Sequence, residues 1–197
     1  PPDMFYSSGQ NWGFHPLRPQ ALAEDGFAYF RATLHSHFRY ARMLRLDHVM
    51  GFKRIFCIPA GEEPDAGAYI YYPFDAFLAV MSLEAHRHNG VLIGEDLGTV
   101  PEIVREKMEA HNIARMWIFQ FEIQPEPKKT FSSVQPSMIA SLNTHDLFPY
   151  EEFLSGDDID QLIKYQLLDP KQAEILAMVE SSGQLTLALR ALADQGD

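Results

Sequence analysis

Cysteine is nearly absent from the sequence, which contains only Cys57. One cysteine cannot form a disulfide bond within the chain, so a reducing compartment is expected. Long apolar runs are also missing, and none approaches the roughly 20 residues of a membrane-spanning helix. The first residues lack the basic start and the apolar stretch of a signal peptide. We therefore expect a cytoplasmic protein that does not insert into a membrane.

Basic residues are scarce compared with acidic ones. The sequence has 16 Lys and Arg against 27 Asp and Glu, which gives a formal net charge of -11. Proteins that bind nucleic acids or anionic membranes need clustered positive charge. Neither partner is therefore expected, whereas a neutral ligand such as a sugar meets no electrostatic penalty.

The residues that are present suit a globular domain with a core of its own. The chain has 197 residues, of which 46% are hydrophobic and 22% are charged. This is an ordinary composition for a folded domain, not that of a disordered chain. Because the chain begins at Pro1 instead of a methionine, we expect it to be cut from a longer polypeptide.

The first half of the chain shows one helix–strand–helix succession. Apolar residues at spacings of three and four predict an amphipathic helix over about 20–40. A short apolar strand is predicted at 43–46 and stops at Asp47. Residues 51–73 are rich in Gly and Pro and are predicted to form a loop. The next helix is predicted from the apolar residues at 74, 77, 78, 81 and 85.

The second half repeats the succession. A strand predicted at 91–93 leads to Glu95, and Thr99 and Glu102 are spaced as a capping box ahead of another helix. Further strands are predicted at 116–119 and at 138–140, the last of which leads to Asp146. Helical patterns follow from about residue 159 to the end of the chain.

Strands that alternate with helices and read as apolar runs predict an α/β fold with a parallel sheet. Three of the four predicted strands are followed by an acid, namely Asp47, Glu95 and Asp146. In parallel α/β folds, and above all in (β/α)8 barrels, active sites lie at the C-terminal ends of the strands. A complete barrel needs eight strands and about 250 residues. We therefore interpret the chain as a partial TIM (β/α)8 barrel with its active site at those strand ends.

The three acids suit chemistry on a glycosidic bond. There, one carboxylate acts as nucleophile and a second acts as acid and then as base. Arg45 lies on the same strand face as Asp47 and could pair with its carboxylate. Glu95 follows an apolar strand, a setting that suits an acid, and Asp146 could bind sugar hydroxyls. Two neighbouring histidines could donate hydrogen bonds to the substrate: His48 and His145.

The same residues have two other interpretations. An acid after a strand is often a helix cap or loop residue, and this would be favoured for any one of the acids alone. A metal site is the chemical rival, because Asp, Glu and His at these strand ends are acceptable ligands for zinc or manganese. No HExxH spacing is present, however, and both His-x-His pairs fall in predicted helices, where residues two apart point in different directions. These pairs are His35/His37 and His86/His88.

Other conspicuous side chains are interpreted as structural. Phe27, Phe30 and Phe77 are expected in the core, and Cys57 is expected to be a small buried residue. The remaining histidines are expected at the surface or at helix ends: His15, His35, His37, His86, His88 and His111.

Five short segments stand out, in this order along the chain: Gly9-Gln10-Asn11-Trp12-Gly13, Arg45-Leu46-Asp47-His48-Val49-Met50, Gly67-Ala68-Tyr69-Ile70-Tyr71-Tyr72-Pro73, Gly94-Glu95-Asp96-Leu97-Gly98-Thr99-Val100-Pro101 and Thr144-His145-Asp146-Leu147. Together they resemble the motifs of the 4-α-glucanotransferases, the amylomaltase or disproportionating-enzyme family (glycoside hydrolase family 77). Order and spacing agree, and the resemblance runs over nearly the whole chain.

The resemblance implies a retaining transfer of α-1,4-glucan segments between malto-oligosaccharides, or from a starch- or glycogen-type glucan. Asp47 would be the nucleophile, Glu95 the general acid/base and Asp146 the stabiliser of the transition state. The supporting residues would be Arg45, His48 and His145, and the sugar contacts Tyr6, Gln10 and Trp12. Neither a metal nor an organic cofactor is implied, and the family is typically cytoplasmic.

Family members are much longer than this chain. Residues 1–197 are accordingly interpreted as a single catalytic-barrel fragment, from about strand four through strand seven and the following helices, without the first strands. Such a sheet has exposed edges, so the isolated chain is expected to be inactive or weakly active unless self-association or the missing barrel segment covers them. A non-catalytic glycan-binding or structural fragment and a metal-dependent barrel hydrolase are the alternative functions.

Overall fold

A computed structural model describes residues 12–122, 133–155 and 157–164 of the chain. The chain divides into two compact units. The first comprises Pro1–Met116 with Pro136–Ile139, and the second comprises Trp117–Gln135 with Ala140–Asp197.

The first predicted helix is in fact two helices. They are α1 (Pro19–Glu24) and α2 (Ala28–Phe38). Between them Gly26 and Phe27 have left-handed backbone angles, with φ of 60° and 59°. Glycine adopts this conformation freely, but Phe27 pays a steric cost for it. Burial of the Phe27 ring edge-on against Phe77, with centroids 5.0 Å apart, offsets that cost. The apolar spacing of three and four continues across the gap between α1 and α2, so the sequence pattern did not reveal that there are two helices.

The segment predicted to be a loop at 51–73 contains a β-hairpin, so that prediction was wrong. The structure has, in order, β1 (Met43–Leu46), a 3-10 turn (Val49–Phe52), β2 (Arg54–Cys57), a second 3-10 turn (Pro64–Ala66) and β3 (Ala68–Tyr71). Strands β2 and β3 are antiparallel, with Arg54 opposite Tyr71 and Cys57 opposite Ala68. The Gly and Pro residues that indicated a loop lie mainly in the connection. The strands are stabilised by cross-strand contacts that no local pattern shows, such as the Arg54 guanidinium 4.2 Å above the Tyr69 ring.

The remaining elements follow the predicted succession. They are α3 (Phe74–His88), β4 (Val91–Gly94), α4 (Glu102–Ala110), β5 (Arg115–Ile118), α5 (Phe119–Glu122), β6 (Met138–Ser141), α6 (Tyr150–Ser155) and α7 (Asp157–Lys164). The four predicted strands are confirmed within one residue. The predicted capping box is wrong: the N-cap of α4 is Pro101, and it has no side-chain hydrogen bond. Proline disfavours a helical backbone in the residue before it, so the helix cannot begin as early as Thr99 would require.

Parallel pairing joins the two strands that precede Asp47 and Glu95. Strands β1 and β4 pair in parallel, with Met43 opposite Val91 and Leu46 opposite Gly94. Ile93 also forms a parallel bridge with Ala114, just before β5. Strand β5 in turn is hydrogen-bonded to β6. The fold is therefore mixed α/β with parallel strands, in which α3 forms part of the connection from β1 to β4.

The core of the first unit lies between its helices and strands. Phe27 and Phe30 both pack edge-on against Phe77, as expected for core aromatics. Leu78 and Met81 of α3 are fully buried. The side chains of Val104 and Met108 of α4 are also fully buried, which anchors this helix beside β4. Cys57 is only half-buried, contrary to expectation, and burial still raises the pKa of its thiol.

No helix in the described parts of the chain is long and apolar enough to cross a membrane. The helix predicted near residue 159 is confirmed as α7, whereas the helical patterns beyond residue 164 lie outside the described residues.

Helix α7 carries a buried acid whose charge opposes folding. Asp158 is 8% exposed, and burial raises the pKa of its carboxyl despite the hydrogen bond it accepts from the Ile159 amide. A raised pKa means that the folded chain holds this proton more tightly than the unfolded chain does. The contribution of Asp158 to stability is therefore fully present below the unfolded-state pKa of about 4 and is lost as pH rises.

We therefore expect Asp158→Asn, which stays neutral, to gain stability relative to the unchanged chain as pH rises from about 3.5 to 7. The asparagine oxygen can still accept from Ile159. Chemical denaturation at the two pH values measures the difference, with the exposed Asp160→Asn on the same helix as control. An equal difference at both pH values would contradict this assignment.

Candidate active site

The parallel register of β1 and β4 brings Asp47 and Glu95 to the same edge of the sheet. Leu46 and Gly94 are partners in the register. Asp47 follows Leu46 and Glu95 follows Gly94, so the two acids lie next to each other. The pairing continues past the strand ends: the Glu95 amide donates to the Leu46 carbonyl at 2.9 Å, and the Val49 amide donates to the Glu95 carbonyl at 3.0 Å. Both acids therefore follow the C-terminal ends of adjacent parallel strands, where α/β folds place their active sites.

The carboxylate of Glu95 is held at both oxygens by backbone amides. The His48 amide donates to Oε2 at 2.8 Å, and the Leu97 amide donates to Oε1 at 2.7 Å. These bonds orient a half-buried side chain that would otherwise rotate. A carboxylate offers about four acceptor positions, so two remain for a proton or for a ligand. The arrangement thus fixes Glu95 in place without exhausting its hydrogen-bonding capacity.

The backbone of His48 makes this contact possible. His48 has a left-handed conformation, with φ of 46°, and it precedes the 3-10 turn Val49–Phe52. Such a conformation is strained for a residue with a side chain, and strain of this kind concentrates at functional sites. Gly51 supports the turn, because a methyl group there would approach the His48 ring to 3.1 Å. Sequence reasoning proposed His48 for its side chain, but its amide makes the described contact with Glu95.

Asp47 is paired with Arg45, as the strand-face argument predicted. Arg45 Nη1 donates to Asp47 Oδ1 at 2.5 Å, and Arg45 Nε also donates to the Met116 sulfur at 3.4 Å. The Asp47 side chain is 57% exposed, so the pair adds little to stability. Its effect is to orient the carboxylate and to place a positive charge beside it, while most of the side chain stays accessible to a ligand.

Asp96 is a buried residue next to Glu95 that sequence reasoning did not single out. Its side chain is 1% exposed, and its Oδ2 accepts from Arg115 Nε at 2.7 Å and from Arg105 Nε at 3.3 Å. The other oxygen accepts from the Met116 amide at 3.1 Å. Asp96 therefore ties the residue after Glu95 to α4 and to β5. The signal available in the sequence was a second acid directly after Glu95, but its partners Arg105 and Arg115 are 9 and 19 residues away.

Gly94 allows the strand end to lie close to its surroundings. A methyl group at this position would lie 2.7 Å from Met108 Cε and 3.1 Å from Val49 Cβ. The methionine end could move, but the branched carbon of Val49 is attached directly to the backbone. The glycine before Glu95 is thus required by close packing, not by its backbone angles.

The third candidate acid belongs to the second unit. Asp146 follows β6 by five residues, is exposed, and lies with Oδ1 3.5 Å from His145 Nε2. Its amide donates to the Thr144 hydroxyl at 3.3 Å, and Asn143 Nδ2 donates to the Phe148 carbonyl at 3.2 Å. Local side-chain hydrogen bonds therefore shape the loop that presents Asp146 and His145 to solvent.

The predicted sugar contacts are only partly described. Tyr6 and Gln10 lie outside the described residues, and Trp12 is 61% exposed in a segment without regular secondary structure. In the described part of the chain, the strand-end acids and histidines do not form a group with metal-site geometry. The structure thus assembles Arg45, Asp47, His48 and Glu95 in one unit, and His145 with Asp146 in the other.

A pair of carboxylates is also what glycosidic-bond chemistry requires, and Asp47 and Glu95 provide such a pair at neighbouring parallel strand ends. The family profile described as 4-alpha-glucanotransferase, glycoside hydrolase family 77, matches residues 1–192. The chain therefore belongs to this family.

Curated relatives agree with the assignment. The chain is 36% identical over 184 residues to the 4-alpha-glucanotransferase of Mycobacterium tuberculosis H37Rv, covering 89% of this chain and 25% of the relative. It is 36% identical over 160 residues to that of Haemophilus influenzae, covering 81% of this chain and 23% of the relative. The chain thus spans about a quarter of the length of these relatives.

Solved structures show the same similarity. The amylomaltase from Corynebacterium glutamicum superposes with a TM-score of 0.80 at 31% identity, covering 91% of this chain and 26% of that one. The amylomaltase from Streptococcus agalactiae, solved in complex with acarbose, superposes with a TM-score of 0.68 at 20% identity, covering 86% of this chain and 35% of that one. The second similarity bears on the fold alone.

Proposed function

We propose that this chain supplies the catalytic acids of a retaining 4-α-glucanotransferase. The observation that carries the proposal is the pair Asp47 and Glu95 at the adjacent ends of β1 and β4, in a chain of that family. In this proposal residues 1–197 form a single segment of a (β/α)8 barrel, from about its fourth to its seventh strand, which acts in the cytoplasm on malto-oligosaccharides or on a starch- or glycogen-type glucan.

The proposed first step forms a covalent intermediate. Asp47 attacks the anomeric carbon of an α-1,4-linked glucose, and its bond to that carbon forms as the glycosidic bond breaks. Glu95 gives its proton to the departing oxygen, so the leaving glucan carries a free 4-hydroxyl. Arg45 keeps the Asp47 carboxylate aimed before attack, since it donates to the oxygen Oδ1.

The proposed second step transfers the glucan. Glu95, now a carboxylate, takes the proton of an acceptor 4-hydroxyl, and that oxygen displaces Asp47 from the anomeric carbon. The product has the original α configuration because each step inverts the carbon once. Water as acceptor gives hydrolysis instead. Every proton and bond balances without a metal or an organic cofactor.

The remaining candidate residues have binding roles in this proposal. Asp146 binds sugar hydroxyls and stabilises the distorted ring of the transition state, with His48 and His145 as hydrogen-bond donors. Tyr6, Gln10 and Trp12 contact the bound glucan. Trp12 and Asp146 are both exposed, which supports these roles because a glucan could reach either side chain.

Incubation with maltotriose tests the proposal. Because the chain spans 26% of the Corynebacterium amylomaltase, we would assay both the chain alone and a grafted enzyme, in which the chain replaces the matching segment of that protein. A ladder of shorter and longer maltodextrins with free glucose is expected from the grafted enzyme, and little or none from the chain alone. A folded grafted enzyme that binds maltodextrins without transferring them would favour a non-catalytic glycan-binding segment. Activity that disappears with a chelator would favour a metal-dependent hydrolase.

A further inference from the structure

Two packed helices of the first unit bring three metal-binding side chains together. His35 lies on α2, and Glu84 and His88 lie one turn apart on α3. One ligand atom from each lies within 4.8 Å of the other two. The His35 Nδ1 and His88 Nε2 atoms are 3.0 Å apart, and His88 Nε2 lies 3.7 Å from Glu84 Oε2. The three atoms therefore form a compact triangle instead of three unrelated surface groups.

The size of this triangle suits a transition metal. Zinc binds imidazole nitrogen at about 2.0–2.1 Å and carboxylate oxygen at about 2.0–2.2 Å, in tetrahedral geometry. Two ligand atoms of such a site are then about 3.4 Å apart. The distances from His88 Nε2 to His35 Nδ1 and to Glu84 Oε2, 3.0 and 3.7 Å, lie on either side of that value. Small side-chain rotations would be sufficient to seat the ion.

The charges around the triangle orient the carboxylate and leave one oxygen for an ion. Glu84 is 4% exposed, and its Oε1 accepts from Arg87 Nη1 at 2.8 Å, with Arg31 Nε 4.0 Å from the same oxygen. The other oxygen, Oε2, faces His88. Partners of this kind fix the ligand atoms of metal sites from outside. Both arginines are about half exposed, so water screens their repulsion of a cation.

The imidazole of His88 is also held in position by packing. Its ring stacks on Phe38, with centroids 5.6 Å apart and an angle of 13° between the planes. Phe38 in turn packs against Gly90, where an added methyl group would lie 2.3 Å from its ring. A ligand whose orientation is set before binding loses little entropy when the ion arrives.

The triangle lies away from the candidate active site. Helices α2 and α3 lead into the first residues of β1 and β4, whereas Asp47 and Glu95 follow the last residues of those strands. Residues at this end of a parallel sheet serve stability in barrel proteins, not catalysis. An ion here would join α2 to α3 and would not take part in glucan transfer.

We propose that His35, Glu84 and His88 bind one zinc ion, which stabilises the packing of α2 on α3. Two imidazole nitrogens and one carboxylate oxygen form a ligand set that zinc accepts, with water in the fourth position. The ion replaces the hydrogen bond between the two imidazoles, and the proton of that bond is released to water. The proposal is independent of the proposed function.

Zinc titration of the chain, freed of metal by chelator and dialysis, tests this site. We expect one zinc ion per chain by calorimetry and a rise in the midpoint of thermal unfolding. Cobalt as a spectroscopic substitute should give visible absorption without a thiolate charge-transfer band, which separates this site from one that uses Cys57. His35→Gln and His88→Gln should each weaken zinc binding by more than about a hundredfold. Loss of a residue that only hydrogen-bonds to a metal ligand costs up to about a hundredfold in affinity, and loss of the ligand itself should cost more.

Matched controls lie on the same helices. His37→Gln and His86→Gln change exposed histidines two residues away that point elsewhere, and both should leave the affinity unchanged. His35 is itself exposed, so its variant should fold, which circular dichroism confirms before titration. Absence of stoichiometric binding, or binding that survives His35→Gln and His88→Gln together, would overturn the proposal. So would an equal loss of affinity in His86→Gln.

Discussion

Glu95→Gln should lower maltotriose disproportionation by about 10²- to 10⁴-fold in the grafted enzyme, the usual contribution of a general acid and base. Glutamine keeps an oxygen for one of the two backbone amides but turns its NH2 towards the other. The loss is therefore assigned to the missing proton only if a donor that needs no acid restores the reaction. Asp47→Asn should lose at least as much, because an amide oxygen is a poor nucleophile and no covalent intermediate forms. Product chromatography over time measures both rates.

A glucan donor that reacts without an acid catalyst separates the role of Glu95 as acid from that of Asp47 as nucleophile. α-Maltosyl fluoride loses fluoride with little protonation, so it should restore formation of the intermediate in Glu95→Gln but not in Asp47→Asn. Glu106→Gln, an exposed acid on α4 outside the site, is the matched control and should keep full activity. Equal rescue of both variants by the fluoride donor would refute the assignment of Asp47 as nucleophile and Glu95 as acid.

Asp96→Ala should lower the free energy of unfolding by about 3 kcal/mol, the lower end of the range for breaking a buried ion pair. The substitution removes the shared acceptor of Arg105, Arg115 and the Met116 amide, all bound to a side chain that is 1% exposed. The lower end is expected because both arginines are 29% exposed and can be hydrated once released. Urea denaturation of the chain measures the change.

Two further variants make this test specific. Asp96→Asn keeps an oxygen for the Met116 amide and should lose less stability than the alanine variant. Asp75→Asn breaks the exposed pair between Asp75 and Lys107 on the same unit and should have little effect. A loss of less than about 1 kcal/mol for Asp96→Ala would show that the Asp96 pairs contribute no more than surface pairs do.

The sequence by itself determined the strands and the acids that follow them. Short apolar runs before Asp47, Glu95 and Asp146 are local signals, and the bounds of β1, β4 and β6 agree with those runs to within one residue. The sequence motifs also indicated the family, because several motifs in the right order are far more specific than any single acid. The pairing of Arg45 with Asp47 also followed from strand periodicity, since residues two apart share a face.

Only the tertiary structure decided the contacts between distant parts of the chain. The hairpin β2–β3, the left-handed His48 that donates to Glu95, and the arginines around Asp96 depend on partners many residues away. Local patterns carry no information on such partners. The same reason explains why the sequence did not predict the cluster of His35 with His88. Within a helix His35 and His37 point apart, and only the packing of α2 on α3 brings His35 beside His88.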